Sequence, residues 1–389
     1  MNNIINSFIW TILGIVLGII SNKLYDSVIK PKYYKLIKNI ELSKNKKLYY
    51  GSKSINFIKR FYSNKLYNCV IRNTSIVIPF LVNSKWDKID IDVISNPNIL
   101  TFVNTDKCQY PIRKRLIKNK LKAGKKIFNN PSLFLHRIIY DNNNIKFEVG
   151  EYNYFQRISY IFDLENETYK CAYRFNKPKL RNRYLADVNN ASNTFENTIP
   201  IGCDAVLAIR IDNEYKICIH KRSHESVNYP EGYMIVPSFG FGEISRIKNN
   251  PLLYCFLKEY SEEIFDREEL DTEFRYTDPN WFFYKYEEVQ DIINLIEEHK
   301  FYLHLIGCGF DAISGFFNLT LLAIIDDTDI SQKIYSNCRG NWETYENHIK
   351  FVSVASNEID EIIKTGKISP SSCYALSKAF NILHSKTNN

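Results

Sequence analysis

None of the nine cysteines in this 389-residue chain, Cys69, Cys108, Cys171, Cys203, Cys218, Cys255, Cys308, Cys338 and Cys373, stands at CxxC spacing from another. Their odd number and scatter argue against a disulfide framework or a structural zinc, and for a reducing compartment. A strong charge of one sign is also missing. The 51 Lys and Arg against 43 Asp and Glu leave +8, too mild to imply nucleic-acid binding by itself. Methionine is scarce, with two residues, whereas Tyr and Phe number 27 and 25. No internal repeat occurs, and no low-complexity tract beyond a bias to Ile, Asn and Lys that fits AT-rich codon usage. The length suggests two or three structural units, and the 45% hydrophobic content is enough for a sizeable core.

Charge is missing altogether from one run, Ile4–Ile20, which reads IINSFIWTILGIVLGII. It approaches the ~20 residues needed to cross a bilayer. No Lys or Arg precedes it and no small-residue cleavage site follows, so a secretory signal peptide is disfavoured. A buried soluble helix would be unusually apolar all round. A transmembrane helix over residues 1–25 is therefore the expectation. Lys23, Lys30, Lys32, Lys35, Lys38, Lys44, Lys46 and Lys47 follow it, against Asp26 and Glu41. The positive-inside rule puts the N-terminus outside and the C-terminal part in the cytoplasm. The lysines also favour anionic head groups of the lipid bilayer. Gly14 and Gly18 form a GxxxG spacing, which lets helices approach closely and suits a homo-oligomer, although glycine is common in such helices.

Residues 26–47 are expected to form a short helical, basic stalk. Residues 48–195 show short alternating runs, such as Tyr67–Arg72 and Ile89–Ile94, broken by Asn-rich turns. They predict a β-rich cytosolic region with a few helices, around 111–122 and 152–163. No catalytic constellation occurs there, and the basic run from Arg113 to Lys122 is read as a solvated helix face rather than a polyanion contact. From residue 196 to 389 a clearer α/β order appears. Ala205–Ile211, Asp212-Asn213 and Glu214–Lys221 predict a hairpin with a tight polar turn. A strand around 232–238 precedes the aromatic turn Phe239-Gly-Phe-Gly. Asn250-Pro251 opens a helix to about Phe265. A helix over 287–298, strands over 302–306 and 317–325, and a C-terminal helix over 370–384 complete a mixed α/β order.

The helix after Pro251 carries Glu259, Glu262 and Glu263 at i, i+3 and i+4. On an α-helix these share an edge, where three carboxylates repel unless a cation lies among them. Mg²⁺ or Mn²⁺ is the natural partner, since hard ions take carboxylate oxygens and bridge to phosphate. A merely solvated acidic edge is the plain alternative.

In this setting the stretch Lys258-Glu-Tyr-Ser-Glu-Glu-Ile-Phe-Asp266 resembles the second half of the Nudix box. Glu259, Glu262 and Glu263 match the family's metal-holding glutamates, with Glu262 the candidate catalytic residue. Lys258 replaces an Arg, Phe265 a Gly and Asp266 an apolar residue. In the first half, Asn250 stands at the Glu position and Ile244 at the Gly position. The resemblance implies a Nudix-like mixed-sheet α/β/α domain over 196–389, able to bind nucleotides with or without cutting them. With the N-terminal helix and β-rich spacer, the chain resembles transmembrane-Nudix effectors of cyclic-oligonucleotide-based antiphage signalling (CBASS). Gly150-Glu-Tyr-Asn-Tyr-Phe, Gly202-Cys-Asp-Ala-Val-Leu-Ala, His220-Lys-Arg-Ser and Val236-Pro-Ser-Phe-Gly are similar to that group. The resemblance implies a cyclic oligonucleotide messenger from a cognate synthase, sensed in the cytosol, and membrane disruption with abortive infection. Lys221 and Arg222 would meet phosphates, and Phe239 and Phe241 would stack on bases. Each has a structural alternative as a surface cation or core aromatic. A membrane-tethered, Mg-dependent hydrolase of nucleoside diphosphate derivatives is the alternative function, and a protein-binding membrane scaffold is a third.

Overall fold

The computed structural model describes Gly18, Lys23 and residues 25–387, apart from 106–107, 109, 142–143, 187–197, 243, 248 and 268–277. The apolar run Ile4–Ile20 with Gly14 lies outside the described residues, except for Gly18. Gly18 is helical, and a Cβ there would meet nothing within 4 Å. Among the described residues no helix is long and apolar enough to cross a membrane.

The stalk is a helix α1, Lys30–Asn45, flanked by π turns at Tyr25–Ile29 and Lys46–Tyr50. Pro31 sits in its first turn, where its missing N–H has no intrahelical partner to lose. Tyr33, Tyr34, Leu36 and Ile40 are exposed along it. The chain then enters the body with α2, Ser52–Tyr62.

The body is mixed α/β, built on one curled mixed sheet. Its backbone order is β1 (Leu66–Ile71), β2 (Thr74–Leu81), β11 (Phe301–Asp311), β12 (Phe317–Ile325), β7 (Ile201–Ile211), β8 (Glu214–Arg222) and β13 (Thr344–Ser353). The short strands β3 (Ile91–Asp92), β9 (Tyr233–Ile235) and β10 (Ser238–Gly240) pair with β11, β8 and β7. A second sheet joins β4 (Leu100–Phe102), β6 (Asn144–Asn153) and β5 (Pro131–Asp141).

The central pair β7–β12 is parallel, running in register from Ile201 opposite Phe317 to Ile209 opposite Ile325. Every residue of β12 is buried, which explains its mainly apolar spelling, broken by Asn318 and Thr320: both faces are covered. The faces separate with period two. Cys203, Ala205 and Leu207 join the larger core with α2, with α4 (Tyr154–Arg174) and with a helix from Pro251. Val206 and Ala208 join the smaller core under the C-terminal helix Pro370–Thr387.

The hairpin predicted from Ala205 is β7–β8, and its turn residues Asp212 and Asn213 take φ of 53° and 62°, as a two-residue type I′ loop requires. The stretch over 48–195 differs from its alternating pattern. It contributes β1–β3 to the main sheet and β4–β6 to the second, and α3 (Lys114–Lys122) and the first half of α4 stand where helices were expected, but α2, the second half of α4 and α5 (Lys179–Tyr184) add helix that the pattern did not show. The long α4 has a capping box, with the Asn153 side chain accepting from the Gln156 amide at 3.0 Å and the Gln156 side chain accepting from the Asn153 amide at 3.3 Å.

Arg181 on α5 is fully buried. Its guanidinium donates to the Ala312 carbonyl, to the Ile313 carbonyl at 2.8 Å and to the Leu164 carbonyl at 3.4 Å, and also to the Thr168 and Tyr62 hydroxyls. Glu167 stands at 3.9 Å and accepts from the α5 amides of Leu180 and Arg181. Removing one member of such a buried charged set leaves the rest unpaired. Arg181→Ala should cost about 3 kcal/mol in equilibrium denaturation, while a surface control such as Lys59→Ala should stay within about 0.5 kcal/mol.

Candidate functional site

At the end of the main sheet where β7 and β12 begin and β11 ends, a cleft of about 230 Å³ opens. It brings together most of the candidate residues. Glu259, Glu262, Glu263, Arg222, Phe239 and Phe241 all line it. Lys221 does not, because neighbouring strand residues point to opposite faces. It is exposed, with its ammonium 4.8 Å from the centre of the Tyr345 ring.

One wall is helix α6, Pro251–Glu259. Asn250 caps it, its side-chain oxygen accepting from the Leu253 amide at 3.1 Å. Its Nδ2 also donates to the Val93 carbonyl at 2.7 Å, tying the helix start to the end of β3. The residue standing where a Nudix box has glutamate is thus a structural cap here. Leu252, Phe256 and Leu257 fill the core side. After Glu259 the helix widens into a π turn, Tyr260–Ile264. The α-helical edge expected for the three glutamates therefore stops at Tyr260, although all three still face the cleft.

Their surroundings are largely provided by the protein itself. The Lys258 ammonium lies 3.9 Å from Glu259 and 3.8 Å from Glu262. Glu263 is 7% exposed and accepts from the Ser238 amide at 2.8 Å. Burial, reinforced by the Glu343 charge, pushes its carboxyl well above the usual range. Among the described residues no three His, Cys, Asp or Glu converge as a metal-ligand set. As arranged here, the Lys258 ammonium is the cation that stands beside Glu259 and Glu262.

The cleft also holds residues that the sequence reading missed. Asp204 on β7 is 1% exposed and accepts from the Ser238 hydroxyl. Burial raises its pKa. The Ser371 hydroxyl tempers that rise without closing a hydrogen bond on Oδ2. Asp311, at the end of β11, accepts from the Tyr229 hydroxyl at 2.6 Å and from the Ile313 and Ser314 amides at 2.7 and 3.2 Å. Burial raises it too. Arg157 of α4 lies against the Tyr154 and Phe316 rings, 5.2 and 4.9 Å from their centroids. It passes over Gly240, where any Cβ would collide with the guanidinium. Arg222 pairs with Glu343 at 2.6 Å. Phe239 and Phe241 meet edge to face at 5.6 Å and are both buried in the core, so they shape the wall more than they offer a free face. The available signal for Asp204 was a lone acid inside the otherwise apolar run Ile201–Ile209.

A carboxyl whose folded pKa lies above its unfolded value stabilises the fold only while protonated. Its contribution is full below the unfolded value of about 4.3 and is lost as pH rises toward the folded one. Gln can keep the Ser238 contact without the charge. Glu263→Gln should therefore raise the melting temperature at pH 8 by roughly 1–2 °C, corresponding to about 1 kcal/mol. At pH 5 the gain should shrink toward zero. Thermal melts across this range check the slope.

Neither a protein-family model nor a curated protein matches this chain.

Proposed function

We propose that this chain is a membrane-anchored effector of bacterial antiphage defence, with the cleft as sensor for a cyclic oligonucleotide made by a cognate nucleotidyltransferase. One observation carries the binding reading. Four residues that line the cleft each hold a buried side-chain atom without a hydrogen-bond partner among the described residues: Asp204 Oδ2, Asn228 Oδ1, Arg157 Nε and Arg222 Nε. Such groups are costly to leave unmade, and their convergence supports a polar ligand that completes them. Arg157, Arg222 and Lys258 suit phosphates. Tyr154 and the exposed Phe128 suit a base. The domain would be Nudix-like by the likeness of its carboxylate helix. The apolar run Ile4–Ile20 would anchor the chain, the stalk lysines would meet anionic lipid, and self-association along Gly14 and Gly18 would disrupt the bilayer.

A Mg²⁺- or Mn²⁺-dependent hydrolase of nucleoside diphosphate derivatives is the second reading. The presence of all three glutamates on one cleft favours it, and the lysine among them weighs against it. Metal-dependent turnover that disappears in Glu262→Gln would establish it.

Purified full-length protein in dye-loaded liposomes, given a panel of cyclic di- and trinucleotides, tests the effector reading. A ligand at a hundredfold excess over its Kd adds about 2.7 kcal/mol, roughly 3 °C in melting temperature for a chain of this size. The same panel member should release dye. Arg157→Ala and Arg222→Ala should lose both responses. A panel that moves neither melting nor leakage overturns the proposal.

A further inference from the structure

The segment between β8 and β9, Ser223–Gly232, touches both the cleft and the stalk. On its inner side Asn228 and Tyr229 line the cleft, and the Tyr229 hydroxyl donates to Asp311 Oδ2 at 2.6 Å. On its outer side the N-terminal elements grip it. Lys38 Nζ donates to His224 Nε2 at 2.6 Å, and Lys46 pairs with Glu231 at 3.2 Å. The Tyr49 ring lies 4.3 Å from the Tyr229 ring, and the Tyr50 hydroxyl donates to the Pro230 carbonyl at 3.5 Å. Gly232 leaves the space in which the Tyr50 hydroxyl sits. The residues that follow α3 hold the same segment from another side. Lys125 donates to the His224 and Ser226 carbonyls, both at 2.7 Å, and Lys126 pairs with Glu225 at 3.1 Å.

The segment is also under backbone strain. Tyr229 and Glu231 take φ of 46° and 64°, the left-handed region that side-chain-bearing residues avoid. Strained conformations persist where their surroundings over-determine them. Here the determining contacts come from the cleft on one side and from the stalk on the other.

We propose that Ser223–Gly232 couples the cleft to the stalk, with Tyr229 as the pivot between Asp311 and Tyr49. This rests on the cleft being the binding site. An occupant that engages Asp311 Oδ2, or that needs the room Tyr229 fills, favours a state with the phenol released. The segment then relaxes, and its grip on Lys46–Tyr50 changes. An occupant shifts the equilibrium only by its differential affinity for the two states, and the hydroxyl–carboxylate bond is where that difference arises. The effect is reciprocal: loosening the stalk must alter the cleft.

Hydrogen exchange on the full chain tests this in both directions. Asp311 Oδ1 accepts from the Ile313 and Ser314 amides, so these two report on the cleft. The double substitution Lys38→Ala with Lys46→Ala should speed their exchange by about threefold or more. In a Tyr229→Phe background the same pair should have no further effect. No change in the first case, or an equal change in the second, overturns the coupling. The cyclic di- and trinucleotide mixture provides a second arm. Slower exchange at Ile313 and Ser314 with faster exchange at Lys46–Tyr50 in the wild type, reduced to the first two in Tyr229→Phe, supports it. Protection of the cleft without change at Lys46–Tyr50 overturns the coupling and leaves the binding reading intact. If the mixture protects neither site while the mutational coupling holds, the coupling stands and the binding reading fails.

Discussion

A single buried guanidinium, Arg181, joins parts of the chain that lie far apart in sequence. Its donors reach the helix at Tyr62, the long helix at Leu164 and Thr168, and the turn after β11 at Ala312 and Ile313. Arg suits this place because its planar fork presents several donors in fixed directions. The turn it holds carries Asp311, and the adjoining strand starts carry Asp204 and Asn318. The floor of the cleft thus depends on a charge contributed from the N-terminal half. A cut at residue 195 would remove both this charge and three strands of the main sheet.

The cleft combines opposite tendencies. Three carboxyls, Asp204, Glu263 and Asp311, are buried and raised, so each disfavours its own charge. Two arginines and a lysine stand among them, with part of their bonding capacity engaged by Glu343, Glu259 and Glu262. The arrangement is neither a simple cationic phosphate trap nor a simple acidic metal site. A ligand that both donates and accepts hydrogen bonds answers it better than a bare ion.

Local rules made much of the C-terminal half legible. The Asp212-Asn213 turn, the Asn250-Pro251 helix start and the apolar spelling of β12 each follow from backbone preference or burial. Glu259, Glu262 and Glu263 were found because helical spacing is a local signal. The rest was not local. Asp204, Asp311 and Arg157 come to one cleft only after elements roughly 50 to 150 residues apart are packed. The π turn at Tyr260 changes the phase of the carboxylate helix without any mark in the residue types. Likewise Ser52–Tyr62 and the second half of Tyr154–Arg174 are helices because amphipathic faces found cores to cover, a tertiary effect that outweighs local alternation.

Gly240 gives the cleft an unusual economy of scale. Arg157 can reach across it only because that position carries a hydrogen atom where every other residue has a carbon. The close approach of the Arg157 guanidinium to the strand backbone is therefore set by the missing side chain at this position. One methyl group there would push the guanidinium from its present place against the Tyr154 and Phe316 rings. The character of what the cleft admits is thus adjustable by the smallest covalent change the genetic code allows.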